Sequence, residues 1–375
     1  MKILHVTKKY PNALGGDAVV VANLEKQQTK MGLDVSILTH HCPEVINKQN
    51  IAQFGLDLPS SDLDKITVKR LISLLSLPFY GYWYLKKIHP DIIHSHSPDL
   101  GFAIAIPARV LGIPVVNTCH GVSLTDKNLP LLKRYAEIFF LKYSGFARII
   151  TVDSIAVAAL EQHGISNAEY IPNGVDPDFW GKKQNLSPGN KTKTTFLFVG
   201  RLEEQKGLIY LIEAVRRLKS DMEGFTVQLV GDGSQRSHLE KLADAYGLGS
   251  YVKFTGRLDL KRLREVYLDS DIFVLPSVWE GMPLTLLEAW ASGLPVIVTS
   301  VGNIPEVCVN RENALIIEPG NETDLYNAML QLSKSEELRN RLGRNGLMTV
   351  RKNYSWSTVA QKTLQLYKKV CRNWQ

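Results

Sequence analysis

Two carboxylates, Glu280 and Glu288, flank a Gly-Met-Pro turn and an apolar run in the sequence SVWEGMPLTLLEAWASG, Ser277–Gly293. The segments on either side, DIFVLPS and PVIVTS, are apolar enough to be buried strands. This order of strand, turn, helix and strand places Glu280 at the carboxyl end of a strand. Ligands of open α/β sheets bind beyond the carboxyl ends of the strands, so both glutamates are candidate ligand-binding residues.

A pair of carboxylates can also hydrolyse a glycosidic bond, and this alternative depends on their separation. On one continuous helix, the spacing of Glu280 and Glu288 would correspond to roughly 12 Å, with about 80° of rotation. Two carboxylates that act on one glycosidic bond lie roughly 5–9.5 Å apart. The spacing therefore favours contacts with different parts of one extended ligand over paired acid and base hydrolysis.

Two cations follow another predicted strand. GRLEEQKG, Gly200–Gly207, comes directly after TTFLFV and carries Arg201 and Lys206. A guanidinium binds phosphate with two parallel hydrogen bonds and an ammonium acts as a point charge, so together they suit a diphosphate. The alternative is a solvated loop in which Glu203 and Glu204 pair with the cations. The position at a strand end favours the functional interpretation.

The first predicted β-to-α loop contains Gly15 and Gly16 immediately before a helix. Adjacent glycines let backbone N–H groups approach an anion, and the helix dipole favours negative charge there; a plain turn is the alternative. His120 ends the strand PVVNTCH, and this position favours a functional role over a structural one. Cys119 would point to the opposite face of the sheet, so we do not assign it as a nucleophile.

The segment VGDGSQ, Val230–Gln235, resembles half of a dinucleotide-binding fingerprint. Position 236, where the third glycine belongs, is arginine, and no acidic residue near position 250 fits the ribose. We therefore interpret the segment as a tight strand-to-helix turn. NAD-dependent oxidoreduction remains an alternative that binding of NAD would reveal.

Strands and helices alternate along the whole chain, which indicates an α/β protein with parallel sheets. The segment 181–193 is rich in Lys, Asn, Gly and Pro and has no apolar pattern, which is typical of a linker. We therefore predict a first domain at 1–180 and a second at 181–354. A crevice between two such sheets is the default ligand site.

Composition and charge exclude several classes of protein. No run reaches the roughly 18 apolar residues of a membrane-spanning helix, and MKILHVT does not predict a signal peptide. The four cysteines are scattered, which does not suggest zinc and fits a reducing cytosol. The net charge of +7 is uneven: residues 1–180 hold 17 basic and 16 acidic residues, whereas Arg344–Gln375 holds seven basic and none acidic. This pattern argues against nucleic-acid binding and favours a local basic face.

The segment 65–87 combines an apolar helical stripe, which includes Val68, Leu71, Ile72 and Leu75, with basic residues at both ends. Five aromatic residues lie in its charge-free part, 71–85. One interpretation is a helix packed on its own domain. The other is a surface helix that contacts an anionic membrane.

With seven residues between Glu280 and Glu288, EGMPLTLLEAWASGLPVI resembles the EX7E motif of retaining glycosyltransferases of family 4. GRLEEQKG, LVGDG, FTGR, IPNGVD, the early Gly-Gly loop and TCHG also occur in family order. The resemblance covers essentially the whole chain. It implies the GT-B fold, in which two Rossmann-like domains face each other across a cleft, and a C-terminal helix, 355–375, that returns to the first domain.

The resemblance implies that the second domain binds most of a nucleotide diphosphate sugar. Arg201 and Lys206 would hold the diphosphate and Glu280 the sugar hydroxyls, while Glu288 would bind the ribose. In the first domain, Gly16 would approach the β-phosphate and His120 a distant sugar hydroxyl. The remaining donor-binding positions are Gly15, Gly200, Gly231, Gly256, Arg257, Gly281, Met282, Leu284 and Thr285. Many relatives have VGGIPE where this chain has VGNIPE with Asn303.

The resemblance predicts transfer of a hexosyl group, with retention, from a UDP-, GDP- or ADP-sugar to a sugar, lipid-linked or cell-surface glycan acceptor. No cofactor or divalent metal is expected. The alternative is a non-catalytic two-domain protein that binds a nucleotide or sugar. We expect a cytoplasmic protein, with the basic tail near the segment 65–87 and peripheral contact with the inner face of the cell membrane.

Overall fold

A computed structural model describes residues 1–10, 16–42, 49–59, 62–63, 67–122, 130–181 and 193–374. The chain divides into two compact units. Unit 1 comprises Met1–Asn173 together with Trp356–Gln375, and unit 2 comprises Gly174–Ser355. The predicted glycine pair lies partly outside the described residues, because Gly15 is not among them. The same holds for most of the predicted linker.

Unit 1 is built on a seven-stranded parallel sheet with the order β3-β2-β1-β4-β5-β6-β7. Its elements in chain order are β1 (Lys2–Thr7), α1 (Gly16–Lys30), β2 (Asp34–His40), β3 (Ile51–Phe54), α2 (Val68–Ile88), β4 (Ile92–Ser95), α3 (Pro98–Val110), β5 (Val115–Cys119), α4 (Leu131–Tyr143), β6 (Arg148–Thr151), α5 (Ser154–Gln162) and β7 (Ala168–Tyr170).

Unit 2 has a six-stranded parallel sheet with the order β10-β9-β8-β11-β12-β13. Its elements are α6 (Pro177–Trp180), β8 (Thr194–Val199), a 3-10 turn (Glu204–Lys206), α7 (Leu208–Asp221), β9 (Phe225–Val230), α8 (Arg236–Ala245), β10 (Val252–Gly256), α9 (Leu260–Asp269), β11 (Ile272–Leu275), α10 (Leu284–Ala291), β12 (Val296–Thr299), α11 (Ile304–Val307), β13 (Leu315–Ile317), α12 (Glu322–Lys334) and α13 (Glu336–Asn353). The last helix, α14 (Trp356–Trp374), belongs to unit 1.

The predicted α/β class with two parallel sheets is confirmed. The chain enters unit 2 at Gly174, however, and not at the predicted residue 181. The physical reason is that the Val175 N–H donates to the Tyr354 carbonyl at 2.8 Å, which ties this strand-like segment to the end of α13. The short helix α6 then packs against α9, α10 and α13.

Alternate residues of β1 face two separate layers of unit 1. Leu4 and Val6 belong to a large apolar cluster with residues of α2, α3, α4 and α5. On the other face, Val35 and Ile37 of the adjacent β2 pack with Val21 of α1. Right-handed crossovers place helices on opposite faces when the strand order reverses, as it does at β1. The helix α14 packs against α1, and therefore lies on the opposite face from α2.

The expectation that the basic tail lies beside the segment 65–87 therefore does not hold. The two regions are on opposite faces of the sheet, and the last turn of α14 contacts the loops that follow α2 and α3. There, Cys371 contacts the Asp91 carbonyl, and the Trp374 indole N–H donates to the Gly112 carbonyl at 3.0 Å.

Local signals set the start and end of α10, which follows the predicted Gly-Met-Pro turn. Pro283 precedes its first residue, where a missing N–H has no cost because no carbonyl of the helix would pair with it. Gly293 follows its C-terminal end with a φ of 75°, a conformation that glycine adopts without strain. Glu280 therefore lies in the loop before the helix, whereas Glu288 lies within it.

Candidate active site

Backbone contacts between glycines hold the ends of β8, β9 and β10 close together. A Cβ atom at Gly231 would lie 1.8 Å from the Gly200 carbonyl oxygen, and the Gly231 N–H donates to the Gly256 carbonyl at 2.9 Å. Gly231 and Gly256 also have positive φ angles of 133° and 75°. These three predicted donor-binding glycines are therefore packed on one another, and they hold three loops at one edge of the sheet.

The loop after β8 gives its two predicted cations different surroundings. Arg201 is exposed, whereas the Lys206 side chain is only 13% exposed. Glu203 accepts hydrogen bonds from the Ser234 N–H at 3.1 Å and from its hydroxyl at 2.5 Å. These bonds, with a smaller contribution from Arg201, lower the pKa of Glu203. Glu203 is thus bound to the loop after β9, and Lys206 has a different partner.

That partner is Glu280, 74 residues further along the chain. The Lys206 Nζ lies 2.5 Å from Glu280 Oε1, and the Ser277 hydroxyl donates to the same oxygen at 2.7 Å. Glu280 is 6% exposed, so this is a nearly buried ion pair. An ammonium and a carboxylate are therefore fixed side by side. The first can attract an anionic group and the second can accept hydrogen bonds from hydroxyl groups.

The loop before α11 fixes the backbone of Glu280. Gly302 has a φ of 53°, and a Cβ atom there would lie 1.7 Å from the Glu280 carbonyl oxygen. The next residue, Asn303, is fully buried, contacts the Met282 sulfur and has a φ of −81°. Asn303, which stands where many relatives have glycine, therefore needs no left-handed backbone conformation. The close contact with the Glu280 carbonyl requires glycine at position 302 instead.

Glu288 lies in an environment unlike that of Glu280. The Tyr267 hydroxyl donates to Glu288 Oε2 at 2.9 Å. Burial raises the pKa of Glu288 to about 7, and the Tyr267 hydrogen bond only partly opposes this effect. The two glutamates therefore differ in chemistry. Glu280 is paired with a cation, whereas Glu288 is buried, has a raised pKa and accepts a hydrogen bond from a phenol.

The N-terminus of α10 presents the predicted backbone donors. Gly281 and Met282 lie in the loop, and Leu284 and Thr285 form the first turn. The first N–H groups of a helix have no carbonyl partner within the helix, so they can bind an anion or a hydroxyl oxygen. Because Glu280 precedes the helix, the 12 Å estimate for one continuous helix does not describe the two glutamates. Arg257 is exposed immediately after β10.

In unit 1, His120 follows the end of β5 and is half-buried. Its Nε2 lies 3.3 Å from Nδ1 of His96, and the two rings are stacked with 14° between their planes. Burial lowers the pKa of His120, and the opposing charge of Asp17 in the first turn of α1 acts in the other direction. This interaction places the N-terminus of α1, which begins at Gly16, near His120.

Cys119 is buried and accepts a hydrogen bond from the Asn117 amide at 3.4 Å. Burial raises the pKa of its thiol well above the ordinary value. A thiolate is the nucleophilic form of cysteine, so this thiol is unsuited to that role. Cys119 is therefore not assigned as a nucleophile.

A cluster of buried histidines adjoins His120, and the sequence analysis missed it. His5 on β1, His94 on β4 and His96 just after β4 have ring nitrogens within 4.8 Å of one another. One sequence signal could have indicated it, namely the alternation of His94 and His96 at the end of a predicted strand. The parallel register that pairs His5 with His94 is visible only in the structure. Burial lowers the pKa of His5 to about 4 and those of His94 and His96 well below the ordinary value.

The surface of unit 1 carries an unusual apolar face across α2, α3 and α4. Helix α2 buries Ser73, Leu77, Gly81 and Leu85, and exposes the predicted apolar stripe instead. Fourteen of the twenty-five exposed large apolar side chains in the described part of the chain lie on these three helices. They are Val68, Leu71, Ile72, Leu75, Phe79, Tyr80, Trp83, Ile106, Val110, Leu131, Leu132, Tyr135, Phe139 and Tyr143.

The interpretation of α2 as a helix packed on its own domain holds for the side that carries Leu77 and Leu85, which belong to the large apolar cluster of unit 1. The predicted apolar stripe lies on the other side and is exposed. Within the described residues, no helix is both long and apolar enough to cross a membrane. We call the exposed surface of α2, α3 and α4 the three-helix face.

Comparison with known proteins identifies the two halves. Residues 14–179 match the family model for Glycosyltransferase Family 4, and residues 182–348 match that for Glycosyl transferases group 1. The chain is 30% identical over 72% of both chains to the UDP-Gal:alpha-D-GlcNAc-diphosphoundecaprenol alpha-1,3-galactosyltransferase of Escherichia coli. It is 27% identical over 98% of both chains to an uncharacterized glycosyltransferase of Methanocaldococcus jannaschii.

Among solved structures, sucrose-phosphate synthase from Thermosynechococcus elongatus is similar over the full length of both chains, with a TM-score of 0.82 at 20% identity. This similarity establishes the fold. The family models cover both units, and the galactosyltransferase establishes the relationship in sequence. The chain is therefore a glycosyltransferase that belongs to family 4, with a group 1 domain in its second half and the GT-B fold.

Proposed function

We propose that this glycosyltransferase transfers a hexosyl group from a UDP-sugar to a lipid-linked glycan acceptor, with retention at the anomeric carbon. The observation that carries the proposal is the nearly buried pair of Lys206 and Glu280, in which Lys206 belongs to the same loop after β8 as the exposed Arg201. Two cations and a hydroxyl-binding carboxylate are the groups that a diphosphate joined to a sugar requires. The related galactosyltransferase of Escherichia coli is named for UDP-Gal and a diphosphoundecaprenol-linked acceptor.

In this proposal Lys206 and Arg201 stabilise the negative charge that develops on the departing diphosphate, and Glu280 holds hydroxyl groups of the sugar. The pair with Glu280 holds the Lys206 ammonium in place, so little reorganisation of this cation accompanies bond cleavage. Both cations also supply the positive charge for which other enzymes use a divalent metal, so we propose that activity needs none. Glu288 binds the ribose hydroxyls. We assign no protein nucleophile.

The remaining donor contacts are assigned as follows. Backbone N–H groups at the start of α10 bind the phosphate and the sugar, and Arg257 and Gly256 lie next to the nucleotide base. Gly16 approaches the β-phosphate at the start of α1, and His120 accepts a hydrogen bond from a sugar hydroxyl.

A donor panel tests this proposal directly. UDP-, GDP- and ADP-hexoses are incubated with and without an undecaprenyl-diphosphate-linked acceptor, with EDTA present, and released nucleotide diphosphate is measured. We expect acceptor-dependent release of UDP, and an NMR spectrum of the product should show the anomeric configuration of the donor. Inversion, or strict dependence on a divalent metal, would contradict the corresponding part of the proposal.

The variant Lys206→Gln tests the diphosphate assignment. Glutamine keeps an N–H donor for Glu280 but removes the cation, so we expect kcat to fall about a hundredfold or more while the acceptor KM changes little. Lys253→Gln is the matched control, because Lys253 is an exposed lysine on β10 of the same unit. Unchanged turnover in Lys206→Gln would show that this residue does not act on the leaving group.

We also propose that the three-helix face docks on an anionic lipid membrane, at the inner face of the cell membrane. Charge complementarity is the argument for this occupant. The helices α2, α3 and α4 contain eight basic and only two acidic residues, whereas the whole chain has a net charge of +7. Exposed aromatic and aliphatic side chains that are flanked by lysine and arginine are typical of helices that lie in the headgroup region of a membrane.

Vesicle co-sedimentation tests this surface. We expect binding to vesicles that contain phosphatidylglycerol, weaker binding to pure phosphatidylcholine, and loss of binding as salt is raised. The triple change Leu75→Ser, Phe79→Ser, Trp83→Ser should abolish binding, and neutralising Lys69, Lys86 and Lys87 should weaken it. Arg70 is left unchanged because it pairs with the buried Asp99 at 2.5 Å.

The control is the pair Val309→Ser and Met348→Ser, which removes exposed apolar side chains from unit 2. Binding by the triple variant equal to that of the wild type would overturn the membrane proposal. Dimerisation that the same triple change abolishes, without any vesicle binding, would assign the face to a second copy of the chain instead.

A further inference from the structure

We propose that His96 is a positioning residue, which fixes His120 as the tautomer whose Nε2 carries the proton and whose Nδ1 is free to accept a hydrogen bond from a sugar hydroxyl. This inference rests on the proposed function, because it concerns how His120 meets the donor. His96 itself is buried, so it would act through the orientation and proton position of its neighbour.

The geometry consists of a continuous chain of ring nitrogens that ends at an amide. His120 Nε2 lies 3.3 Å from His96 Nδ1, and His96 Nε2 lies 2.9 Å from His5 Nδ1. The chain continues from His5 Nε2 to the side-chain oxygen of Gln28 at 2.7 Å. Four polar side chains from β1, α1, the end of β4 and the end of β5 are thus connected in series.

The amide of Gln28 sets the direction of this chain. An amide oxygen only accepts, so His5 must donate to it from Nε2–H, which leaves Nδ1 of His5 as an acceptor. His96 must then donate from Nε2–H to His5 and accept at Nδ1. His120 must donate its Nε2–H to that nitrogen. A neutral ring with a protonated Nε2 has an unprotonated Nδ1, so the orientation of one glutamine fixes the tautomer of His120.

A second branch is consistent with this orientation of Gln28. The amide nitrogen of Gln28 lies 3.5 Å from the Tyr367 hydroxyl, and that hydroxyl lies 2.5 Å from His94 Nδ1. The other nitrogen of His94 lies 2.6 Å from the Thr118 hydroxyl. With Gln28 oriented this way, Tyr367 accepts from the amide and donates to His94. Every ring nitrogen of the three buried histidines therefore has one partner when all three rings are neutral.

A bound metal ion is the other occupant to consider, since His5, His94 and His96 lie close enough together to ligate one. A metal ligand needs a free nitrogen lone pair directed at the ion. Here, the nitrogens of His5 and His96 are directed at each other and those of His94 at hydroxyl groups. The hydrogen-bonded arrangement therefore accounts for the cluster, and metal binding becomes an outcome of the test.

Nitrogen-15 NMR of histidine-labelled protein measures the tautomer without any donor present. The His120 signals are assigned as those absent from His120→Ala. We expect the Nε2–H tautomer for His120 and neutral rings for His5, His94 and His96 at pH 7.5. An Nδ1–H tautomer of His120 would overturn the proposal, and so would shifts of the cluster signals on removal of metal with a chelator.

Two variants of His96 separate positioning from packing. The amide of asparagine stands two bonds from Cβ, as Nδ1 of histidine does, so His96→Asn keeps an acceptor for His120. The amide of glutamine stands one bond further out, so His96→Gln loses that acceptor and keeps a donor towards His5. We expect His96→Asn to retain the His120 tautomer and most activity. His96→Gln should lose the tautomer, and its kcat/KM for donor should fall about tenfold or more.

A double-mutant cycle completes the test. If His96 acts through His120, His96→Gln should have little further effect in a His120→Ala background. An equal loss in both backgrounds would show that the role is merely structural and would overturn the proposal. The failure of the proposed function is distinguishable, because it would appear as a wild-type protein that uses no donor, while the tautomer of His120 is measured in the absence of turnover.

Discussion

The Tyr367 hydroxyl lies 2.5 Å from His94 Nδ1, although 273 residues separate the two in the chain. Both side chains are buried, and the same hydroxyl also accepts from Gln28 on α1. The C-terminal helix therefore completes a polar network inside unit 1. Burial raises the pKa of Tyr367, so its hydroxyl keeps its proton and can donate it to His94.

Tyr367→Phe should destabilise unit 1 without changing its fold. The change leaves His94 Nδ1 and the Gln28 amide without a partner in a buried site, which costs about 1–3 kcal/mol. Equilibrium denaturation in urea measures this loss. Tyr326→Phe is the matched control, because the hydroxyl of Tyr326 is bonded to Asp221 at an exposed position of unit 2 and should matter little. Equal stability of both variants would show that the network does not support the helix.

Glu288 should make stability fall as pH rises. Burial raises the pKa of Glu288 from 4.5 to about 7, so the folded state holds the proton more tightly than the unfolded chain does. The free energy of unfolding should therefore decrease between about pH 4.5 and pH 7, by an amount on the order of 2–3 kcal/mol. Glu288→Gln removes the titrating group, so the difference between variant and wild type should grow over this window. If the free energies of unfolding of the variant and the wild type had the same pH dependence, the raised pKa of Glu288 would be contradicted.

The buried histidines should have the opposite effect. Burial lowers the pKa of His5 from 6.5 to about 4, so in this range the unfolded chain binds more protons than the folded state does. The free energy of unfolding should therefore fall as pH is lowered from about 6.5 towards 4. His94 and His96 shift in the same direction. Urea denaturation at pH 4.5, 5.5 and 6.5 measures this slope, which should be shallower in His96→Gln.

Gly302→Ala should impair the site through the backbone of Glu280. The new Cβ atom would lie 1.7 Å from the Glu280 carbonyl oxygen, so the loop that carries Glu280 must move. We expect kcat/KM for the donor to fall at least tenfold, since small displacements of catalytic groups are costly. Gly293→Ala is the control: its φ is also positive, at 75°, but no atom lies within 4 Å of the added Cβ. Gly293→Ala should lower the free energy of unfolding by about 1 kcal/mol through backbone strain and should keep near-normal activity.

The sequence predicted the class of fold and the candidate site in unit 2 because both depend on local signals. Alternating strands and helices are readable from apolar patterns, and the loops after strands indicated Arg201, Lys206 and Glu280 as candidates. Glu288 became a candidate through its spacing from Glu280, in the helix that follows. The partner of Lys206 was not predictable in the same way. Glu203 and Glu204 are its neighbours in sequence, yet the partner is Glu280, because parallel strands bring distant loops to one edge of the sheet.

The histidine cluster and the three-helix face were harder to predict for two different physical reasons. The cluster joins β1, α1, β4 and α14, so its contacts depend on packing over 339 residues between Gln28 and Tyr367. In α2, both sides of the helix are largely apolar, and periodicity does not distinguish the side that faces the core. The buried side is the one with Gly81, where a Cβ atom would lie 2.6 Å from Cδ1 of Ile104 on α3.

The placement of α14 in unit 1 also determines when this protein can finish folding. The ribosome synthesises Met1–Asn173 first, and it must then synthesise all of Gly174–Ser355 before it reaches Tyr367. At about 5–20 residues per second, this interval lasts roughly 10–35 s. Throughout that time His94 has no phenol to bond with and α1 has no helix to cover it. Unit 1 therefore cannot acquire its last helix until the whole of unit 2 has been synthesised.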